Sequence, residues 1–528
     1  MKRRMLVWVM ILCLIPLGAW AEEGSALYPI RENGLWGYMD RQGETVIPPQ
    51  WKTALPFSGD AAFVSLSVVT RPYSLSLSHG HNDGLIDRQG NYIVEPRPER
   101  IIQEFDTTWR IADLDTDAEG FCDKISGFYQ PPLKDYAMVL PSGDGSGPVP
   151  VMDHDGNVGY VSRQTGETVI PFRYTGELFA AAFYDGYARP RDEIAELDEN
   201  GEECAWSEKE HLIDSRGNEV TLPNGMIPVS YVRDGYVVYS IPPETGEAEG
   251  TYAVPPETEK EAEEESVWDM LGYGVYRPNQ RGIGLARLDG TVLIKADPSI
   301  VLMSLPDENG IVCFLKDTHE TIMTGGSEWP LLLAGHMDTK GNVIVPPAYN
   351  IVDTEYVTYE FVNGYAAIED LGTSPQSGMR EVIIDTAGHE LFSRQVYGEG
   401  YSFFMDDRVQ ENGLIWYCIA EHGNGTAAGR RRYGLLRIAD GRVDYLTDAI
   451  YESHIGTVLP ENKQMNFAEG LHPVQRGGLW GYINEQAEMV IPSVWDAASG
   501  FRDGLALVEK DGKLMYIDHS GIVVWEER

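Results

Sequence analysis

The sequence predicts an all-β protein made of tandem β-meander or hairpin repeats, arranged as a propeller-like ring or a stacked solenoid array. Two recurring phrases and the scarcity of helical patterning support this prediction. No long segment places apolar residues at the three-and-four spacing of a helix, and 56 Gly and 31 Pro interrupt the chain throughout.

The first phrase runs from Gly34 to Pro49 and returns from Gly478 to Pro492. It reads Gly-Leu-Trp-Gly-Tyr, one apolar residue, Asp or Asn, a short turn and Val-Ile-Pro. The aromatic run is typical of a strand, the Asp-x-x-Gly segment of a tight turn, and Val-Ile-Pro of a return strand that proline ends. Looser copies begin at Gly84, Gly159, His211, Gly284, His336, Ile383, Gly434 and Met515.

The second phrase places Asp-Gly, Asn-Gly or Glu-Gly between an aromatic or other large residue and a Tyr or Leu, as in Tyr184–Ala188 and Val362–Ala366. It alternates with the first phrase and predicts the start of a second hairpin. Each unit is then a meander of about three or four strands. Because one hairpin cannot bury its apolar face, neighbouring units must pack together. We expect each indole to fill this core, and each Trp-Gly glycine to admit a neighbouring backbone.

The phrase Gly-Leu-Trp-Gly-Tyr-x-Asp/Asn followed by Val-Ile-Pro resembles the WG (KWG) repeat family of bacterial proteins. Residues 34–51 and 478–495 match the pattern well, and several other units lack the Trp. The resemblance implies a β-rich repeat scaffold with binding roles. It carries over no catalytic residue.

The N-terminus resembles a signal peptide at residues 1–21. Lys2, Arg3 and Arg4 precede the apolar run Met5–Leu17, and Gly18–Ala21 fits a cleavage site after Ala21. A permanent signal anchor is the alternative, but the run is shorter than the ~20 residues of a spanning helix. No second apolar run of that length follows. We therefore expect a secreted or cell-surface protein that does not insert into the membrane after cleavage.

The formal net charge of −41 disfavours nucleic acid and anionic membranes as partners, because both are negatively charged. Nine Glu lie between Glu244 and Glu265, and this composition predicts an acidic, Pro/Glu-rich inserted loop at 241–267. The loop divides the mature chain into an N-terminal repeat block, 22–240, and a C-terminal repeat block, 268–528.

The four cysteines after the signal segment form no Cys-x-x-Cys pair, which excludes a knuckle-type zinc site. They are Cys122, Cys204, Cys313 and Cys418. Export permits disulfides between them, and buried free thiols fit the spacing equally well.

Several segments could carry chemistry, and each has a simpler structural interpretation. His79–Asp83 holds two imidazoles and a carboxylate, but its position favours a polar loop over a metal site. Asp153–Asn157 resembles the start of a calcium loop but lacks the twelfth-position Glu, so a hairpin turn is favoured. Arg430–Arg432 is interpreted as a solvated edge, and Gly272–Gly274 matches no fingerprint.

One aspartate recurs before the turn glycine of the first phrase. Its regular placement indicates a residue that accepts backbone hydrogen bonds, since an active site needs an asymmetric constellation. The positions are Asp40, Asp87, Asp214, Asp338, Asp385 and Asp518.

The sequence therefore predicts a non-enzymatic scaffold that binds a protein or glycan, with no catalytic residue, metal or cofactor and with binding residues unassigned. No nucleophile elbow, His-Glu-x-x-His or phosphate loop is present. The alternative is a secreted hydrolase of cell-wall or other polysaccharides, with carboxylates that converge from distant repeats. A third possibility is an accessory module of an envelope complex.

Overall fold

A computed structural model describes residues 26–69, 80–175, 181–197, 203–241, 273–275, 282–324, 327–351, 361–373, 378–406, 409–421, 430–455 and 466–528. Over these residues the chain forms β-strands, turns and loops, with one short 3-10 helix at Pro223–Gly225. The all-β prediction is confirmed. The predicted signal segment 1–21 and the acidic residues 242–267 lie outside the described residues.

The first half of the chain forms strands β1 to β21. Their bounds are β1 Tyr28–Glu32, β2 Leu35–Met39, β3 Thr45–Trp51, β4 Thr53–Ala54, β5 Ala62–Ser65, β6 Asp83–Ile86, β7 Tyr92–Val94, β8 Arg100–Glu104, β9 Thr108–Asp113, β10 Ala118–Asp123, β11 Tyr129–Leu133, β12 Met138–Val139, β13 Val149–Met152, β14 Val158–Val161, β15 Thr168–Tyr174, β16 Tyr187–Ala188, β17 Arg191–Leu197, β18 Glu203–Glu210, β19 Ile213–Asp214, β20 Ile227–Pro228 and β21 Tyr236–Ser240.

The second half forms strands β22 to β43. Their bounds are β22 Tyr273–Val275, β23 Ile283–Arg287, β24 Val292–Asp297, β25 Ile300–Ser304, β26 Ile311–Thr324, β27 Ser327–Asp338, β28 Val343–Asn350, β29 Tyr365–Asp370, β30 Arg380–Asp385, β31 Glu390–Gln395, β32 Tyr397–Gly398, β33 Tyr401–Met405, β34 Leu414–Glu421, β35 Arg431–Ala439, β36 Arg442–Tyr445, β37 Leu471–Arg476, β38 Leu479–Asn484, β39 Met489–Trp495, β40 Ala497–Ala498, β41 Ala506–Lys510, β42 Lys513–Ile517 and β43 Val523–Glu526.

These strands pair antiparallel into a series of small sheets, which we number in chain order, keeping the two-stranded hairpin β17–β18 separate. Sheet 1 is β1–β3, sheet 2 β4–β7, sheet 3 β8–β11, sheet 4 β12–β15, sheet 5 β16 and β19, sheet 6 β20, β21, β23 and β24, sheet 7 β22 and β25–β28, sheet 8 β29–β31, sheet 9 β32–β36, sheet 10 β37–β39 and sheet 11 β40–β43. Most are antiparallel meanders of three or four strands, as the two phrases predict, whereas sheets 7 and 9 have five strands and sheet 5 has only two.

Apolar clusters join most neighbouring sheets of the series. Ile47 of sheet 1 packs with Val64 of sheet 2, and comparable clusters follow at the later junctions except the one between sheets 5 and 6. At that junction Tyr184, just before β16, stacks on Tyr231 between β20 and β21. The last cluster joins Ile30 of sheet 1 to Leu507 of sheet 11. The described sheets therefore close into a propeller-like ring, and the open solenoid array is not formed.

Polar contacts reinforce the closure between the first and last sheets. The Tyr516 hydroxyl donates a buried hydrogen bond to the carbonyl oxygen of Pro29 at 2.9 Å. The Arg31 guanidinium binds both carboxylate oxygens of Glu527 at 2.7 and 2.8 Å. Such bidentate pairs fix geometry as well as adding energy.

The Trp-Gly pair has a steric explanation in both clear copies of the phrase. A Cβ on Gly37 would lie 2.4 Å from the carbonyl oxygen of Ile47, and one on Gly481 2.5 Å from that of Ile491. The crossing backbone belongs to the last strand of the same sheet, where the pairing register shifts. The indole of Trp480 is only 2 % exposed in the core between sheets 10 and 11, as expected.

The sheet that flanks the acidic segment takes strands from both predicted repeat blocks. β21 pairs with β23 from Tyr236↔Arg287 to Ser240↔Ile283. The chain between them, which includes the acidic residues, therefore connects adjacent strands of sheet 6. The division of the mature chain into two blocks stays a prediction.

Candidate functional site

The most regular polar surface is formed by one exposed residue from each of ten successive sheets. In each sheet this residue lies in the turn that immediately precedes one of the first three strands. We call these residues the turn ring. They are Asp60, Asp106, Asp144, Asp185, Asp234, Glu308, Asn363, Glu411, Glu469 and Asp503. Nine are acidic, and they come from sheets 2 to 11.

Local backbone chemistry explains the position of these side chains. Asp185, Asp234, Asn363, Glu469 and Asp503 have φ between 51° and 52°, and each is followed by a glycine with positive φ. Two consecutive left-handed residues form the tight hairpin turn that Asp-Gly and Asn-Gly favour. The second phrase is thus confirmed as a hairpin signal.

Neighbouring turns touch one another. The Gly235 amide donates to Asp185 Oδ2 at 3.0 Å, and the Gly504 amide donates to Glu469 Oε2 at 3.0 Å. Other neighbouring turns are joined by the pairs Thr107–Ser142, Asp185–Asp144, Arg233–Pro306, Asn309–Phe361, Asn363–Glu411 and Phe467–Gln410. Between sheets 2 and 3, Lys124 makes the connection: its backbone amide donates to the carbonyl oxygen of Thr107 and its ammonium to the Ser58 hydroxyl.

The circle of turns also closes between the ends of the chain. The Arg502 guanidinium donates to the carbonyl oxygen of Phe57 at 2.6 Å. The Tyr28 hydroxyl of sheet 1 donates a hydrogen bond to the backbone carbonyl oxygen of Asp503 at 2.6 Å. The turn ring is therefore one continuous surface on the protein.

Half-buried tyrosines accompany the carboxylates between sheets 5 and 6. Tyr184 and Tyr231 stack with ring centroids 4.6 Å apart. Burial raises the pKa of Tyr184, and the nearby negative charges of Asp106 and Asp144 raise it further. Turns from sheets 3 to 6 thus bring carboxylates and aromatic rings close together, an arrangement that can contact both polar and apolar groups of a ligand.

The recurring aspartates of the first phrase have the structural role expected for them. Each accepts two backbone hydrogen bonds inside its own turn, as Asp518 does from Ser520 and Ile522 at 2.8 and 3.0 Å. The others are Asp40, Asp87, Asp214, Asp338 and Asp385. Side-chain hydrogen bonds from Asn218 and Asn342 lower the pKa of Asp214 and Asp338. These carboxylates stabilise turns.

Replacing Asp518 separates the hydrogen-bonding role of this position from its charge. We expect Asp518→Ala to lower the free energy of unfolding by about 1–2 kcal/mol, because two amide donors lose their acceptor. Asp518→Asn should cost less than about 0.5 kcal/mol, since Asn484 accepts the same two bonds in sheet 10. Urea unfolding of both variants tests this, and equal losses would contradict it.

The segments considered as metal sites take ordinary structural roles where they are described. His79 lies outside the described residues, and His81 Nδ1 is 2.9 Å from Oδ2 of the buried Asp83. Asp153 accepts the amide of Asn157 at 2.8 Å in the hairpin turn that its sequence predicts. Within the described part of the chain, no group of three or more His, Cys, Asp or Glu could hold a metal ion.

Burial makes two of the cysteines unreactive. It raises the pKa of the Cys122 and Cys313 thiols to about 12, so almost no thiolate forms at neutral pH. Both thiols are free, as is that of the half-buried Cys418. The side chain of Cys204 lies outside the description.

Two further segments singled out in the sequence, Arg430–Arg432 and Gly272–Gly274, have ordinary structural positions where they are described. Arg431 is exposed at the start of β35, in agreement with a solvated edge. Tyr273 and Gly274 belong to β22, which pairs with β25.

No helix among the described residues is long and apolar enough to cross a membrane.

A buried pair of histidines between sheets 9 and 10 was not predicted. His454 stacks on Trp416 with centroids 4.3 Å apart, and His472 lies 5.8 Å from His454. Burial lowers the pKa of His454 to about 3 and that of His472 to about 4. His454 belongs to neither recurring phrase, and His472 stands where other copies of the second phrase have Ala, so neither phrase predicted this pair.

Comparison with known proteins agrees with the repeat units. The family model described as WG containing repeat matches residues 36–66, 335–372 and 480–513. The chain contains WG repeats. The two end matches begin at Trp36 and Trp480, while the central match covers a unit without Trp. No curated protein matches this WG-repeat chain significantly.

Solved structures that are similar to the WG-repeat chain align over most of its length but have little sequence identity with it. A eukaryotic initiation factor is 9% identical, with 89% of this chain and 96% of that chain covered and a TM-score of 0.30. BamB from Moraxella catarrhalis is 10% identical, with 89% and 94% covered and a TM-score of 0.21. Hsv2 from Kluyveromyces lactis is 10% identical, with 71% and 94% covered and a TM-score of 0.23.

Proposed function

We propose that the chain is an exported, non-enzymatic β-repeat ring that binds a protein or glycan ligand at the cell surface through the turn ring. The observation that carries this proposal is the repeated placement of exposed carboxylates in neighbouring turns that touch one another. A continuous polar surface of this kind suits recognition of an extended ligand. Export is proposed from the signal-like residues 1–21.

Three carboxylates of the turn ring suit a direct test. Asp234, Glu308 and Asp503 are exposed and make no ion pair with other described residues. Their replacement by amides should leave the free energy of unfolding nearly unchanged, because surface substitutions away from such contacts have small effects. The matched control replaces three exposed acidic residues in or beside the last strands of sheets 2, 9 and 11, as Glu95→Gln, Asp444→Asn and Glu526→Gln.

The experiment screens residues 22–528 by thermal shift against cell-wall fragments, polysaccharides and peptides. A true ligand at a hundredfold excess over its Kd stabilises the folded state by about 2.7 kcal/mol. We expect the Asp234→Asn/Glu308→Gln/Asp503→Asn variant to bind at least about tenfold more weakly, and the control variant to bind like the wild type. Equal affinities would reject the turn ring as the binding surface.

A turnover assay on the same ligand decides between binding and catalysis. Incubation of any stabilising polysaccharide with the protein should release no new reducing ends. Release that depends on the folded protein would overturn the non-enzymatic proposal and favour a hydrolase.

A further inference from the structure

One histidine lies where the hairpin β17–β18 joins sheet 5. His211 follows β18, and its ring Nε2 is 2.9 Å from Oδ2 of Asp192 in β17. Its Nδ1 is 2.7 Å from Oε1 of Glu219, beyond β19. The residue is 7 % exposed, and its backbone amide donates to the carbonyl oxygen of Pro190 at 3.0 Å. A single imidazole thus connects the base of the hairpin to the sheet.

Each of these two contacts needs a hydrogen on the ring nitrogen of His211. An ionised carboxylate can only accept hydrogen bonds, and a neutral imidazole carries only one N–H. Both contacts are therefore satisfied when both ring nitrogens are protonated and an imidazolium lies between two carboxylates. Hydrogen bonds between charged groups are about twice as strong as neutral ones.

Other titratable and charged residues lie on the elements next to this histidine. Tyr174 of β15 packs edge-on against the imidazole at 5.3 Å, with the Arg173 guanidinium over its phenol ring. Lys209 of β18 is the register partner of Asp192. Arg189 and Arg191 are buried in the segment that enters β17. Arg173 interacts electrostatically with both Glu219 and Asp192, so the two carboxylates are partly balanced by fixed positive charge.

The arrangement does not suit a metal ion. The carboxylates bind opposite nitrogens of one ring, so no common centre lies between three donors. Oδ1 of Asp192 is buried and has no hydrogen-bond partner, whereas Oδ2 faces His211. Loss of the proton between them would leave this partly buried carboxylate without its donor, which is costly.

We propose that His211 is a pH-sensitive latch that holds the base of the hairpin β17–β18 to sheet 5. The latch is closed while the imidazole is doubly protonated. It opens when one proton leaves, because one carboxylate then faces an unprotonated nitrogen. The hairpin becomes a mobile arm of the ring at higher pH.

Hydrogen exchange measured by mass spectrometry on residues 22–528 tests the latch at pH 6 and pH 9, after correction for intrinsic exchange rates. Hairpin peptides 187–197 and 203–214 should exchange at least about tenfold faster at pH 9 than at pH 6. A reference peptide from sheet 11, residues 506–517, should keep its protection. Loss of protection in both regions alike, or in neither, would overturn the latch.

Variants separate the latch from general effects of pH. In His211→Gln the hairpin should exchange at pH 6 as fast as the wild-type hairpin does at pH 9. His519→Gln, a control that removes the exposed partner of Glu469, should leave hairpin exchange unchanged. Glu219→Gln keeps the shape of its side chain and should move the loss of protection to lower pH. An unchanged midpoint in Glu219→Gln, or wild-type protection in His211→Gln, would disprove the proposal.

Discussion

Gly481→Ala should destabilise the protein by more than about 3 kcal/mol, although it adds a single methyl group. The new Cβ would lie 2.5 Å from the carbonyl oxygen of Ile491 and 2.7 Å from the amide nitrogen of Ser493. Both are backbone atoms, so no side chain can rotate away. The last strand of sheet 10 would have to move, and it carries Ile491 and Trp495 into the core between sheets 10 and 11.

A neighbouring glycine provides the control. Gly478 has φ of 80°, and a Cβ added there would meet no heavy atom within 4 Å. Asparagine tolerates left-handed backbone, so Gly478→Asn should cost less than about 1 kcal/mol. Urea unfolding of both variants measures the difference. Equal losses would show that the close approach behind Gly481 is not what requires glycine there.

Acidification from pH 7 to pH 5 should destabilise the protein through the buried pair His454 and His472. Burial holds their pKa values at about 3 and about 4, below the ordinary histidine value of about 6.5 in the unfolded chain. The unfolded chain therefore binds protons first as the pH falls. Stability is fully present above pH 6.5 and declines below it, by about 2 kcal/mol per histidine at pH 5.

His454→Phe isolates one member of the pair. Phenylalanine can keep the stacking on Trp416, and Nδ1 of His454 has no hydrogen-bond partner to lose. We expect the variant to lose about 2 kcal/mol less than the wild type between pH 7 and pH 5. Urea unfolding midpoints at the two pH values test this. Aspartates with lowered pKa values respond only nearer pH 4, so they do not obscure the comparison. Parallel pH profiles would refute the assignment.

Local features of this protein were predictable from the sequence. The strand Leu35–Met39, the turn after Asp40 and the Asp-Gly hairpin at Asp185 follow from backbone preferences of a few adjacent residues. The same preferences act wherever the phrase recurs, so the repetition allowed an all-β meander to be predicted from the sequence. Part of the turn ring could have been anticipated from the acidic residue or Asn that precedes glycine in the second phrase, whereas Asp60, Asp106, Glu308 and Glu411 precede no glycine.

Contacts between distant residues were decided by the tertiary structure alone. Closure depends on Tyr516 reaching Pro29, 487 positions earlier, and on the apolar cluster between sheets 1 and 11. His211 belongs to a copy of the first phrase, yet its two carboxylates come from different elements and are visible only once these pack. The sequence specifies each repeat because short-range preferences act within it. The number of sheets that close a ring, and the charges that meet at their junctions, depend on packing geometry that no single repeat encodes.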